Sequence, residues 1–367
     1  MSKLVFDFDF LIFEAASIAE ERYITAKHTP SNRKFEFATK TELWGDWRKK
    51  SGGWIAEENA RNGNDYYKAE DFEVIMCQRP KPFLVSGKEG RYDEFGDLRK
   101  EETEPTYISP LKGAKMVLDR KIKDIYTNLG GTSYEGYTGR GEVFRHRLAT
   151  LIPYKGNRED LLTPLVLHKL KDYVIAKHNC TLVTEIEADD GVNIAVTNGY
   201  KAFKSVSGEK VIGVVVDKDY NSTEGFWYNP NKDTEPREIK GFGKLYLNDK
   251  NEVKGEGRVW FYHQIMSSDI SDNFAANSQS DKKWGEKSSY KLLKDCTTDK
   301  QAFEALVAGY KTLYPELKTI TNFRGDTFEI DWLYCLTENF NLAKMLRSVD
   351  EQPTDVKAVL NKLGITY

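Results

Sequence analysis

The sequence predicts a mixed α/β chain built on a parallel sheet, with a mainly helical C-terminal third. Three observations support this. Short apolar runs near residues 3–13, 181–185 and 211–216 read as buried strands of the kind that parallel sheets cover on both faces. Between the later two lies a segment with helical spacing, which gives the strand-helix-strand order of crossover connections. Beyond residue 259 the helical period dominates.

In chain order, residues 3–13 begin as a strand whose apolar run is broken by Asp7 and Asp9, and a helix is expected over about 11–22. Residues 28–112 are polar and irregular, with Ser51-Gly52-Gly53 and Gln78-Arg79-Pro80-Lys81-Pro82 as breakers. Their aromatic residues, among them Trp44, Trp54, Tyr66 and Tyr67, argue for an insertion that is at least partly ordered. Met116, Val117, Ile122, Ile125 and Leu129 give a helix at 113–129, followed by a short strand at 133–137. Thr163 as cap and Pro164 in the first turn predict a helix over 164–178. A helix at about 189–199 separates the strands at 181–185 and 211–216. Residues 221–258, rich in Gly, Asn and Lys, read as hairpins and loops, and helices are expected at 300–314, 328–348 and 354–363. The expected division is an α/β core over 1–220 with the insertion at 28–112, a loop and hairpin insertion at 221–258, and a helical subdomain over 259–367.

Across 367 residues, Lys and Arg number 54 against 57 Asp and Glu, a formal net charge of -3, which excludes a histone-like chain and an acidic tail. A hydrophobic fraction of 40% supplies a sizeable core, and no apolar run reaches the roughly 18 residues of a membrane-spanning helix. Met1-Ser2-Lys3 is followed by alternating Phe and Asp, unlike a secretory signal, so the expected location is the cytoplasm. Cys77, Cys180, Cys296 and Cys335 are too scattered for a zinc or disulfide framework. The five histidines, at 28, 146, 168, 178 and 263, are equally dispersed, and a surface or helix-facing role is expected for each in place of catalysis.

Four acidic groups stand at the ends of apolar runs: Asp7 with Asp9, Glu187-Ala188-Asp189-Asp190, Asp217-Lys218-Asp219 and Asp269-Ile270-Ser271-Asp272. Any one of them alone reads better as a helix cap or a solvated turn. Four in matching context point to a shared site, where carboxylates from separate strands repel unless cations offset them. Hard oxygen ligands suit Mg²⁺ or Mn²⁺, and a pair of such ions supports in-line phosphodiester hydrolysis. A basic stretch, Phe144-Arg145-His146-Arg147 and then Tyr154-Lys155-Gly156-Asn157-Arg158, has the cations and aromatic ring that suit phosphate and an unstacked base. On composition alone, an ordinary charged loop before the helix at 164 is the better explanation.

Together these residues resemble the phage-type 5′→3′ exonucleases within the flap endonuclease group, which includes phage ribonuclease H. The matching pieces are Val-Phe-Asp-Phe-Asp-Phe-Leu-Ile at 5–12, Phe-Arg at 144–145, Tyr-Lys-Gly-Asn-Arg at 154–158, Glu-Ala-Asp-Asp at 187–190, Asp-Lys-Asp at 217–219 and Ser-Asp-Ile-Ser-Asp-Asn at 268–273. The resemblance leaves out 28–112 and 221–258. It implies a PIN/flap-endonuclease-like parallel core with a helical arch and a C-terminal DNA-gripping element, and two Mg²⁺ ions for which Mn²⁺ can substitute. The implied ligands are Asp7, Glu187, Asp189 and Asp190 around one ion, with Asp217, Asp219, Asp269 and Asp272 on the other side, and Asp9 orienting them. Lys155 and Arg158 are implied to engage the scissile phosphate, and Arg145, Arg147 and Tyr154 to contact nucleic acid. The implied partner is DNA with a 5′ end or flap, or an RNA-DNA hybrid, in a phage-infected bacterial cell alongside replication proteins.

The chain departs from the family pattern in three places. Tyr137-Thr138-Gly139-Arg140-Gly141-Glu142 lacks the aspartate usual before Phe-Arg, with Glu142 as a partial replacement. Ser268 stands where glycine is usual, and Phe274-Ala275-Ala276 replaces a Gly-rich hairpin. Two alternatives stay open: a replication protein that binds branched DNA with weakened catalysis, and a haloacid dehalogenase-like phosphatase using Asp7 as nucleophile and Asp9 as acid/base.

Overall fold

The computed structural model describes residues 2–46, 48–86, 106–159, 161–205 and 208–367, so residues 87–105 of the expected insertion lie outside the described residues. The chain is mixed α/β and forms two compact units, residues 1–10, 122–160 and 174–367 in one and 11–121 and 161–173 in the other. Boundaries expected at 28, 112, 221 and 259 do not coincide with this division. Among the described residues no helix is long and apolar enough to cross a membrane.

The first unit is built on a six-stranded sheet ordered Arg237–Ile239, Gly225–Tyr228, Lys210–Val214, Ser2–Asp7, Gly131–Gly139, Cys180–Val183. All neighbours are parallel except the pair formed by Gly225–Tyr228 and Arg237–Ile239. Leu4, Val5 and Phe6 are wholly buried, as a central parallel strand requires. From this strand the chain moves outward to Gly131–Gly139 and Cys180–Val183, then returns to the other side at Lys210–Val214. The order of strands therefore reverses at Ser2–Asp7, the place where open α/β sheets bind ligands beyond their carboxyl ends.

Two glycines permit close packing in this unit. A Cβ on Gly213 would lie 2.4 Å from the Trp227 ring, and one on Gly191 would lie 2.6 Å from that of Tyr137. Helices Arg258–Met266, Asp299–Leu313 and Trp332–Ala343 form a separate core around Trp260, Ile265, Phe303, Leu306, Tyr310 and Leu336.

In the second unit, Glu20–His28 lies between Arg33–Phe37 and Phe72–Pro80, all antiparallel. Ile24, Phe37, Tyr67 and Phe72 pack with Leu43 and Trp44 of helix Lys40–Trp44 and Ile55 of helix Gly53–Asn62.

Several expectations are corrected. The helix placed at 11–22 occupies Phe8–Ser17, because Glu20 begins a strand. The helix predicted from 164 starts at Leu167. Gln78 donates to the Thr163 carbonyl (3.0 Å) and the Leu165 N–H donates to Glu20 (2.8 Å), which ties this stretch to strands instead of a first helical turn. Residues 221–258 are more than loops, since Gly225–Tyr228 is a buried member of the central sheet. The helix expected at 328–348 is Trp332–Ala343, preceded by strand Thr327–Ile330 paired with Lys318–Thr321, and Asp331 caps it by accepting from the Tyr334 N–H.

Candidate functional site

The carboxyl edge of the first unit's sheet gathers the acidic groups. Asp7 ends the central strand and is buried, with Oδ1 accepting from the Asp9 N–H (2.9 Å). Asp9 accepts from the Thr138 hydroxyl (2.6 Å) and the Gly139 N–H (3.1 Å), which fixes its carboxylate against the neighbouring strand end. Thr138, in the region where the family pattern has an acid, is thus a donor to Asp9, while Glu142 is exposed.

Glu187 precedes helix Ala188–Ser205, whose first turn holds Asp189 and Asp190, where carboxylates complement the helix dipole. Asp190 accepts from the Glu187 N–H (3.2 Å), from Arg145 at both oxygens (2.9 and 2.6 Å) and from the Leu346 N–H (2.9 Å). Four donors fill its lone-pair directions, so Asp190 anchors the helix start and leaves the expected ligand set.

Arg145, only 3% exposed, spends its guanidinium inside the protein: on Asp190, on Glu187 (2.9 Å), and on the carbonyls of Leu342 (3.1 Å) and Lys344 (2.6 Å). Tyr154 is 4% exposed and its hydroxyl lies within hydrogen-bond distance of both Glu187 (3.0 Å) and Asp272 (2.9 Å). Burial corrects the expectation that Arg145 and Tyr154 face nucleic acid. Arg147 is exposed and pairs with Glu185 (2.6 Å).

The loop bearing Lys155 and Arg158 is joined to the hairpin formed by Ser268–Asp269 and Phe274–Ala275. The Lys155 N–H donates to the Asp272 carbonyl (3.0 Å), Arg158 Nε to that of Ser271 (3.0 Å), and the Asn273 side chain to that of Pro153 (2.9 Å). Lys155 adopts a left-handed φ of 54°, a conformation uncommon for a residue with a Cβ. Its ammonium pairs with Glu187 and lies 3.5 Å from Asp272. Arg158 approaches Asp272 at 3.3 Å with a side chain 45% exposed, so it remains accessible.

On the other side, Asp217 is exposed and accepts from the Asp219 N–H (2.9 Å), while the Gln264 amide donates to Asp219. Lys218 pairs with buried Asp269 (3.0 Å), and the Tyr220 hydroxyl donates to Asp189 (2.9 Å). Sequence reasoning gave Lys218, Tyr220 and Gln264 no role. Lys218 and Tyr220 lie beside Asp219 in the chain, whereas nothing local marks Gln264.

The charges fall into two classes. Despite burial, Arg145 and Lys155 hold the Glu187 carboxyl down at about 2, and Lys218 holds Asp269 below the ordinary range. Burial, reinforced by Asp9 and Asp217, pushes Asp7 up to about 7. Burial also raises Asp189 well above the usual carboxylate range, with Asp7, Asp217 and Glu187 adding to it, and raises Asp219 similarly beside Asp217, Asp269 and Asp272. Asp272 is raised by burial even though Lys155 opposes the shift. Lys155 itself stays protonated, because Glu187 and Asp272 outweigh the effect of its burial.

Asp7, Asp189, Asp217 and Asp219 are thus mutually repelling carboxylates for which no arginine or lysine ion pair is seen among the described residues, the electrostatic condition that a divalent cation relieves. Among the described residues no three His, Cys, Asp or Glu side chains are already drawn together as a metal-holding group. Several of these oxygens are instead turned toward N–H and O–H donors. Neither a protein-family model nor a curated protein sequence matches the chain.

Proposed function

We propose that the chain is a Mg²⁺-dependent nuclease that hydrolyses phosphodiester bonds at 5′ ends or flaps of DNA or RNA-DNA hybrids, as the resemblance to phage-type 5′→3′ exonucleases implies. The observation that carries this reading is the surplus of carboxylate at the sheet's switch point beside two cations, Lys155 and Arg158, one buried against Glu187 and one accessible. Asp7, Asp189, Asp217 and Asp219 would hold the metal, which when bound supplies Lewis-acid stabilisation of phosphodiester charge. Mn²⁺ suits the same oxygen donors. Glu187 and Asp272 hold Lys155 in place through its ammonium, and Tyr154 braces both carboxylates. Arg158, accessible and joined to the 268–275 hairpin, meets the phosphate from the solvent side. Asp190 and Arg145 fix the start of the helix that presents Asp189.

The test is cleavage of labelled 5′-flap, nicked, blunt and RNA-primed duplexes in Mg²⁺ or Mn²⁺. The reading expects hydrolysis of at least one and its loss in Asp189→Asn or Asp217→Asn with DNA binding retained; none cut by wild type under any metal condition refutes it. A second reading, a branched-DNA-binding replication protein with weakened catalysis, is favoured by Thr138, a neutral donor to Asp9 where the family pattern has an acid. Metal-independent DNA binding without cleavage would select it. A phosphoaspartate trapped at Asp7 would select the phosphatase reading instead.

A further inference from the structure

Elsewhere in the first unit lies a cavity of about 430 Å³ whose walls include Phe261, Phe303 and Phe340 with Arg258, Arg347 and Lys362. A second cavity, of about 330 Å³, shares Thr223, Arg258 and Arg347 with the first and adds Lys201. The acidic side chains around both are already engaged. Asp299 accepts from Arg258 (2.9 Å) and the Tyr262 hydroxyl (3.0 Å), Glu224 pairs with Arg258 (3.2 Å), and Glu351 pairs with Lys344 while accepting from the Arg347 N–H (2.6 Å). Lys201, Arg347 and Lys362, by contrast, are exposed and make no ion pair of 4 Å or less among the described residues. Arg347 lies near enough to Glu351 to lower its carboxyl, yet three exposed cations without a direct ion pair, in walls that also hold three aromatic rings, favour an anion that carries a flat ring.

We propose that these neighbouring cavities form a binding site for a free nucleoside phosphate, with the base against Phe261, Phe303 and Phe340 and the phosphate on Arg347 flanked by Lys201 or Lys362. The larger cavity lies within the roughly 300–1,000 Å³ range of small-ligand sites, and the planar fork of an arginine matches phosphate oxygens. Two chain segments run from this site to the acidic edge. The turn Asp219–Ser222, which sets the Tyr220 hydroxyl on Asp189, ends at the cavity wall with Ser222 and Thr223. Lys344 and Met345 line the cavity within the stretch whose Leu342 and Lys344 carbonyls accept from Arg145 and whose Leu346 N–H donates to Asp190. A bound nucleotide therefore stiffens the backbone that holds both ends of the carboxylate cluster. The binding claim does not depend on nuclease activity, so failure of one leaves the other intact.

The experiment is calorimetric titration of the full chain with adenosine 5′-monophosphate in EDTA, which keeps metal from recruiting the nucleotide to the acidic edge. Saturable binding tighter than about 1 mM is expected, with adenosine alone and inorganic phosphate alone both weaker. Arg347→Gln and Lys362→Gln, each with an unchanged thermal midpoint, should weaken it about tenfold. Hydrogen exchange should slow at 219–223 and 342–347 on saturation. Absence of binding, or binding indifferent to both substitutions, overturns the proposal. So does a 5′-phosphorylated oligonucleotide that binds through Arg347 when the mononucleotide does not, since the site would then read a strand end.

Discussion

Replacing Arg145 by Met separates a structural role from a nucleic-acid contact. The guanidinium makes two hydrogen bonds to Asp190, one to Glu187 and two to backbone carbonyls, all away from solvent. Arg145→Met strands the buried Asp190 carboxylate with only the Glu187 and Leu346 N–H groups. Breaking one partner of a buried ion pair costs about 3–5 kcal/mol, and that is the expected loss in urea unfolding followed by circular dichroism. Adding Asp190→Leu removes the stranded charge, so the double variant should be more stable than the sum of the single effects predicts by at least about 1 kcal/mol. A nucleic-acid contact behaves differently: stability would stay within about 0.5 kcal/mol, while the dependence of log K on log salt would lose about 0.9 of slope. That second pattern would refute the buried-anchor assignment.

Three further outcomes are expected. Lys155→Ala should reduce cleavage about a hundredfold without weakening Mg²⁺ binding, and an unchanged rate removes its role at the phosphate. Burial, with a smaller contribution from Lys218, pushes His263 down to about 4, so the native state favours its neutral ring bonded to Ser289. The unfolded state binds the proton more readily, so this contribution is present above about pH 6.5 and is lost as pH falls toward 4, by roughly 3 kcal/mol. NMR titration of the ring near 6.5 would contradict it. Gly191→Ala places a methyl 2.6 Å from the Tyr137 ring and should cost about 1–3 kcal/mol in urea unfolding, despite alanine's better helix propensity; a stabilised variant would show that the ring yields.

The parts legible in the sequence are those whose causes are local. Leu4-Val5-Phe6 ending in Asp7 reads as a central strand with an acid at its carboxyl end, and the helix carrying Asp189 and the strand before Asp217 lie close to where the apolar spacing puts them. What escaped depends on distant partners. Gly225-Phe226-Trp227-Tyr228 sits in polar surroundings and becomes a sheet strand because Lys210–Val214 lies beside it. Glu20–His28 carries charge at Glu20, Glu21, Arg22 and Lys27 and extends because two antiparallel neighbours take its backbone groups. Arg145 and Tyr154 look like solvent-facing residues in a basic stretch until Asp190, Glu187 and Asp272 are brought against them from far along the chain. The same long-range meeting separates the eight carboxylates expected as ligands into those already neutralised by protein cations and those left in excess.

Calorimetric titration with Mg²⁺ at pH 7, repeated in buffers of different ionisation enthalpy, tests the central claim most directly. Burial and mutual repulsion push Asp7 up to about 7 and raise Asp189 well above the carboxylate range, so the cluster shares protonation that a bound cation must displace. The account predicts Mg²⁺ binding with proton release in the wild type and loss of both in Asp189→Asn. No Mg²⁺ binding, or proton-neutral binding that Asp189→Asn leaves unchanged, would contradict a metal site at this edge of the sheet.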